Sequence, residues 1–299
     1  MMKRVRNRIL REIFQTPVVQ IPSELAYKAA LEKHVSKLPV LSLTDLTFVD
    51  TFRREGIFIT SLEALGIPST PLILNAAKKL LPRIPKTLDR IKNEYVVHAT
   101  STQIMEYPEL FLWGSEERLL SIVENYLGLP VAYHGLYFRR DLANEIQVKS
   151  RLWHLDMEDR RSVKIIVYLN DVSDDGGPFQ YIPKPWTSLL SRSLKYNYGY
   201  VRDEAVKSVI PTSDWKPCPG PSGTVIFADT ASIFHRGKVP VVSDRFSLFF
   251  DYTSRRPKNP YYCKSSLSKD ELLVIAAKLS KRQKECIFWD VAERSMKLA

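Results

Sequence analysis

From residue 131 onward the apolar positions gather into short runs bounded by Asp, Gly and Pro: 131–139, 151–157, 163–170, 179–183, 223–229 and 245–253. Each is rich in Val, Ile, Tyr and Phe and has the length of a strand. Strands that follow one another with few helices between them predict a sandwich, barrel or jelly roll. Ahead of them, residues 1–94 read as helical and irregular, punctuated by prolines at 17, 22, 39, 68, 71, 82 and 85. Two helices are predicted with their ends. One covers 44–56 and stops at Gly56. The other covers 115–127, with Ser115 as cap, Glu116 and Glu117 in the first turn, and Gly128 and Pro130 as the stop. Residues 184–222 form a long connection with local helix near 187–194, and long connections in compact domains are often functional. Beyond Pro257 the pattern is helical again. Ser268 and Glu271 form a capping box ahead of Leu272, Ile275, Ala276 and Leu279 on one face.

The expected fold is mainly β with flanking helices (α+β), in one domain over residues 1–299. A helical part spans 1–94, a β core 95–256, and a helical tail packing on that core 257–299. A chain of 299 residues with 44% hydrophobic content can bury a sizeable core. No apolar run approaches the roughly 18 residues of a membrane span. The basic start, MMKRVRNRILREIF, lacks the apolar stretch of a secretory signal. Cys218, Cys263 and Cys286 are odd in number and far apart, which argues against a disulfide framework or thiolate zinc site and fits a reducing compartment, by default the cytoplasm. The net charge of +11 is carried in part by the N-terminal run and by Lys78, Lys79, Arg83, Lys86, Arg90 and Lys92. Such charge attracts nucleic acid, anionic lipid or an anionic small-molecule substrate. No nucleic-acid module accompanies it, so a solvated basic surface is the simpler reading.

The chemistry is concentrated in Leu152-Trp-His154-Leu-Asp156. In an extended chain, positions i and i+2 share a face, so His154 and Asp156 project together. Alone, His-x-Asp is a weak signal. His235 follows the 223–229 strand, and two imidazoles with one carboxylate make the facial triad of non-haem Fe(II) oxygenases, which leaves coordination positions open for a chelating cosubstrate and O2. Arg245 lies ten positions beyond His235 and opens the next strand, with Ser247 and Phe249 on its face. A guanidinium grips a carboxylate through two parallel hydrogen bonds and a hydroxyl adds a third, which suits the distal carboxylate of 2-oxoglutarate. The other histidines, His34, His98 and His134, are expected to be ordinary hydrogen-bonded residues.

With those residues in place, the chain resembles the phytanoyl-CoA dioxygenase family of 2-oxoglutarate oxygenases. The matching segments are Leu152–Asp159, Val167-Tyr-Leu-Asn-Asp-Val172, Asp175-Gly-Gly-Pro-Phe179, Tyr181-Ile-Pro183, and Phe227-Ala-Asp-Thr230 leading to His235-Arg-Gly237. Similarity covers roughly residues 131–255 and is weaker at Phe52-Arg-Arg-Glu-Gly-Ile57. The resemblance implies a double-stranded β-helix (a cupin-like jelly roll) with Fe(II) on His154, Asp156 and His235 and 2-oxoglutarate on Arg245. It also implies a Gly177-Pro178 turn ending a strand at the barrel rim. Where family members often continue into Gly-Ser-His, this chain has Lys184-Pro185-Trp186, and the 184–200 loop is left uninterpreted. Tyr137 and Arg139 share a face that meets either the cosubstrate and substrate or the solvent. Trp153 is expected to point into the core, and the direction of Lys164 is open.

The reaction implied is hydroxylation of a small molecule with release of succinate and CO2. Asp156 favours it over halogenation, since halogenases of this mechanistic class lack the carboxylate. Two rivals use the same residues: a zinc or manganese hydrolase or isomerase, which leaves Arg245 and Ser247 without a purpose, and a non-catalytic binding protein on the same scaffold. No GxSxG, HExxH or phosphate-binding GxxxxGK[ST] motif is present.

Overall fold

The computed structural model describes residues 2–14, 16–86 and 94–289. Arg90, Lys92 and the last ten residues of the predicted tail lie outside them. Among the described residues nine strands form two antiparallel sheets: β1 (Ile57–Ser61), β2 (Val96–His98), β3 (Val131–Asp141), β4 (Val163–Tyr168), β5 (Phe179–Tyr181), β6 (Lys216–Cys218), β7 (Thr224–Asp229), β8 (His235–Gly237) and β9 (Arg245–Ser254). The larger sheet has the order β1-β7-β4-β9-β3-β2 and the smaller β6-β5-β8.

Strand β4 shows why the sequence folds this way. It lies between β7 and β9, covered on both faces, and its sequence Val-Lys-Ile-Ile-Val-Tyr is accordingly almost unbroken in its apolar character. Val163, Ile165 and Val167 face outward with Phe227, Leu248 and Phe250, and join a core built with the helices Leu43–Glu55, Thr70–Leu80 and Glu117–Leu127. There Phe48 meets Phe227 edge-on at 4.6 Å between ring centroids. Ile166 and Tyr168 face inward and pack with Ile226, Ala228, Phe249, Val172, Phe179 and Cys218, which fill the space between the sheets. Lys164 belongs to that inner row. It is the one charged residue in the strand.

Most predicted elements are present with shifted ends. The helix predicted over 44–56 is Leu43–Glu55, capped by the Ser42 hydroxyl and ended by Gly56 at φ +74. The capping box at Ser268 and Glu271 starts Lys269–Ile275, whose Leu272 and Ile275 reach the outer core. Three expectations are corrected. The helix predicted from Ser115 begins at Glu117, because the Ser115 hydroxyl donates back to Leu112 O at 2.7 Å and closes the preceding turn instead. Residues 151–157 are not a strand. Trp153 and His154 make single bridges, to Val201 and His235, and the chain then turns so that Asp156 N donates to Thr230 O. Gly177 and Pro178 lead into β5 rather than ending a strand. Four short strands went unread: β1, drawn from within residues 1–94, pairs with β7, β2 pairs with the end of β3, and β6 and β8 flank β5. Among the described residues no helix is long and apolar enough to cross a membrane. No disulfide joins the three cysteines, all of which are buried.

Candidate metal centre

His154 and His235 are held opposite each other by two reciprocal backbone hydrogen bonds, each 3.1 Å from N to O. Their rings lie 4.3 Å apart between centroids. Each Nδ1 sits against a main-chain carbonyl, Leu152 O at 2.8 Å and Ile233 O at 3.1 Å. A carbonyl only accepts, so both Nδ1 atoms carry the proton and both Nε2 lone pairs are left bare. Those Nε2 atoms are the ones turned to Asp156, 3.7 Å from Oδ1 for His154 and 3.9 Å from Oδ2 for His235. One ligand atom from each residue lies within 4.8 Å of the other two, and no other such group occurs among the described residues. Burial holds both imidazoles below the ordinary histidine range, His235 down to about 3, so both are neutral as metal ligation requires.

Lys164 completes the centre. Its Nζ lies 2.7 Å from Asp156 Oδ2. Burial would raise the Asp156 carboxyl, but the Lys164 ammonium, followed by the two imidazoles, outweighs it and holds the group well below the carboxylate range. Burial likewise would discharge Lys164, and Asp156, Asp251 and Glu158 keep it protonated. Glu158 is pushed up to about 7 by burial and then by the charge of Asp156, and burial also raises Asp251. The sequence signal for Lys164 was its position as a single charge inside the run Val163–Tyr168; its direction needed the register, which sets it opposite Asp251 and Ala228.

A cavity of about 40 Å³ opens beside the triad, lined by His154, His235, Arg139, Lys164, Phe179, Phe249 and Arg245 among others. Arg245 is 2% exposed and ion-paired to Asp141 at 3.0 Å, and a second nitrogen donates to Gly177 O. Arg139 takes the other oxygen of Asp141 at 2.8 Å and lies over the Phe249 ring. Burial would raise Asp141, but Arg139 and Arg245 prevail and bring it to about 2. Asp141 escaped the sequence reading because the predicted strand stopped at Arg139, two residues short. Ser247 is wholly buried across from Arg139 and does not line the cavity. The buried polar atoms here without a hydrogen-bond partner include Arg245 Nε, Arg139 Nε and Ser247 Oγ. Tyr137 does not reach this cavity. It lines a second one, of about 140 Å³, on the far side of Lys164.

The 184–222 connection also bears on the centre. Tyr196 accepts from Leu155 N at 3.1 Å, and Tyr200 meets the His154 ring edge-on at 5.2 Å. Trp153 is buried in a satellite cluster with Trp215 and Phe234, as its alternation with His154 predicts. His34 and His134 are hydrogen-bonded to Glu124 and Thr253.

No protein-family model and no curated protein matches the chain. Solved structures that share its fold include the non-heme alpha ketoglutarate dependent carbocyclase SnoK from nogalamycin biosynthesis, at TM-score 0.52 and 17% identity over 80% of this chain and 91% of that one. EctD from S. alaskensis, with 2-oxoglutarate and 5-hydroxyectoine, matches at 0.50 and 18% over 75% and 85%. The epimerase SnoN, in complex with Fe3+, alpha ketoglutarate and nogalamycin RO, matches at 0.50 and 16% over 76% and 97%.

Proposed function

We propose that the chain is an Fe(II)- and 2-oxoglutarate-dependent oxygenase of the phytanoyl-CoA dioxygenase type. In this reading it is a single jelly-roll domain that hydroxylates a small molecule. His154, Asp156 and His235 hold the iron, and Arg245 with Ser247 receives the distal carboxylate of 2-oxoglutarate. The observation that carries the reading is one cavity bounded by two neutral imidazoles with bare Nε2 atoms on one side and a buried guanidinium on the other. Similar folds named for alpha ketoglutarate dependence or carrying 2-oxoglutarate support it. Those names include a carbocyclase and an epimerase; the Asp156 carboxylate weighs against halogenation, and hydroxylation is the outcome we propose.

The residues present fit the groups they would hold. Arg245 has committed two nitrogens to Asp141 and Gly177, and its Nε–H, the Arg139 Nε–H and the Ser247 hydroxyl are buried donors left over. Each charge-assisted bond to a carboxylate contributes about 1.5–3 kcal/mol. Asp141 fixes the guanidinium plane and offsets part of the charge of two neighbouring arginines, so the pocket accepts a dianion without assembling unpaired cations. Lys164 engages one oxygen of Asp156, which leaves the other oxygen to the metal and favours one-oxygen ligation. When bound, ferrous iron supplies activation of O2 coupled to oxidative decarboxylation of 2-oxoglutarate to succinate and CO2. The apolar walls, Phe179 and Phe249, exclude bulk water from that chemistry.

Anaerobic titration of the protein with Fe(II) and 2-oxoglutarate, followed by succinate measurement on admitting O2, tests this. Binding that needs both ligands is expected, and Asp156→Ala should abolish succinate release. Full release from that variant, or zinc-dependent turnover with no affinity for 2-oxoglutarate, would remove the reading.

A further inference from the structure

The 140 Å³ cavity beyond Lys164 is far larger than the ~10–15 Å³ that one water requires. Its wall includes His134, Tyr137, Glu158, Lys164, Asp251 and Tyr262. Two features of that wall are unusual. First, strand β3 carries a bulge between Tyr133 and Gly135, and His134 is the extra residue. Bulges re-aim side chains, and they concentrate near active sites. Second, the β3 residue opposite Asp251 is Gly135, held at φ +110.

The hydrogen bonds fix what His134 offers. Its Nε2 lies 2.7 Å from the Thr253 hydroxyl, and that hydroxyl donates its own proton to Ser254 O. The hydroxyl therefore accepts from His134, Nε2 holds the ring proton, and Nδ1 is a bare acceptor. Burial keeps the ring neutral. His134 is 4% exposed, and its Nδ1 has no partner. Asp251 Oδ1 is likewise buried without one. Two acceptors thus stand in one cavity wall with nothing to donate to them. A buried acceptor left unpaired is costly, and more so if charged. Of the two lysines on the wall, Lys164 is paired with Asp156, and Lys264 is exposed at the rim.

We infer that this cavity is the substrate pocket and that its occupant is a small amine, whose ammonium donates to Asp251 and His134 and so places the adjoining carbon chain beside Lys164, the residue this cavity shares with the one at the metal centre. Calling the occupant a substrate rests on the oxygenase reading; the amine selectivity does not. It also reverses the expectation of an anionic substrate that the net charge of +11 encourages. Global charge lies on the surface, whereas the pocket wall is set by Asp251.

Butylammonium, butanol and butyrate, matched in chain length, separate the possibilities in ligand-observed NMR titrations of the full chain without iron or 2-oxoglutarate. Butylammonium should bind about tenfold or more tightly than the other two, the ratio expected from one charge-assisted bond. Asp251→Asn should erase the preference. A preference for butyrate, equal affinities, no binding of any probe, or a preference that survives Asp251→Asn overturns the inference. The comparison of probes on the unaltered protein stands even if that variant does not fold. Because the titration omits iron and 2-oxoglutarate, its failure leaves the metal reading intact, and failure of the iron and 2-oxoglutarate titration leaves the amine selectivity intact.

Discussion

Replacing Lys164 by Met removes the ammonium beside the triad while keeping most of the stem that packs in β4. The pair it breaks is short, 2.7 Å, and its side chains are 21% and 11% exposed. At an effective dielectric of about 20, the gross attraction at that separation is roughly 332/(20 × 2.7), or about 6 kcal/mol. Desolvation of both ions takes back much of this, and truncating one partner of such a pair typically costs about 3–5 kcal/mol. The loss falls on Asp156, left charged in a buried site with no cation. A divalent ion on the triad supplies one. Metal-free Lys164→Met should therefore unfold with about 3 kcal/mol less stability than the unaltered chain, and saturating Mn(II) should shrink the deficit to below about 1 kcal/mol. Urea unfolding followed by tryptophan fluorescence, with Mn(II) or with EDTA, gives both numbers. A deficit of the same size in both conditions would mean that Lys164 and the metal do not share Asp156, and the account of the centre given above would be wrong.

Other expectations concern the cosubstrate side. Arg245→Met should weaken 2-oxoglutarate binding by at least about tenfold, from the loss of one or more charge-assisted bonds, and an unchanged affinity in the same titration would move the carboxylate site elsewhere. It should also destabilise the fold by removing one of the two arginines that pair with Asp141, and adding Asp141→Asn should recover part of that loss in a double-mutant cycle. Asp141 itself gives a pH signature. Its folded value of about 2 lies below the ordinary 3.8, so its contribution is complete above pH 3.8 and vanishes as pH falls through 2. The gap is worth about 2 kcal/mol. The stability difference between the unaltered chain and Asp141→Asn should shrink over that window, and a flat difference across it contradicts the pairing. Gly177→Ala should cost roughly 1–3 kcal/mol in denaturant unfolding, since Gly177 has φ +71 and an added Cβ would lie 2.5 Å from Pro240 N. A neutral substitution there would show that the turn carrying the Arg245 acceptor is less constrained than its contacts imply.

What the sequence revealed depended on whether local alternation was enough. Arg245, Ser247 and Phe249 share a face because β9 is long and regular, so period two carries directly into the fold. His154 and Asp156 do project together, yet not from a strand: each backbone is fixed by one contact, to His235 and to Thr230, that links residues far apart in the chain. Lys164 and Asp251 were unreadable for a related reason. Which face of a central strand looks inward is decided by its neighbours' register, and both faces of β4 are buried. Strand β1 was missed because five residues between two helical segments acquire their role only by pairing with β7. His134 looked like any other histidine, since no local pattern announces that a bulge will turn it toward a cavity.

The reciprocal bridge between His154 and His235 has a mechanical consequence. Both imidazoles hang from one pair of main-chain bonds tied to the smaller sheet, whereas Arg245 and Ser247 ride on the larger one. If one layer slides over the other, the two nitrogens travel as a unit and their spacing persists, while their reach to the guanidinium lengthens or shortens. Breathing of this molecule would therefore tune its hold on the chelating acid and spare the spacing of its two imidazoles.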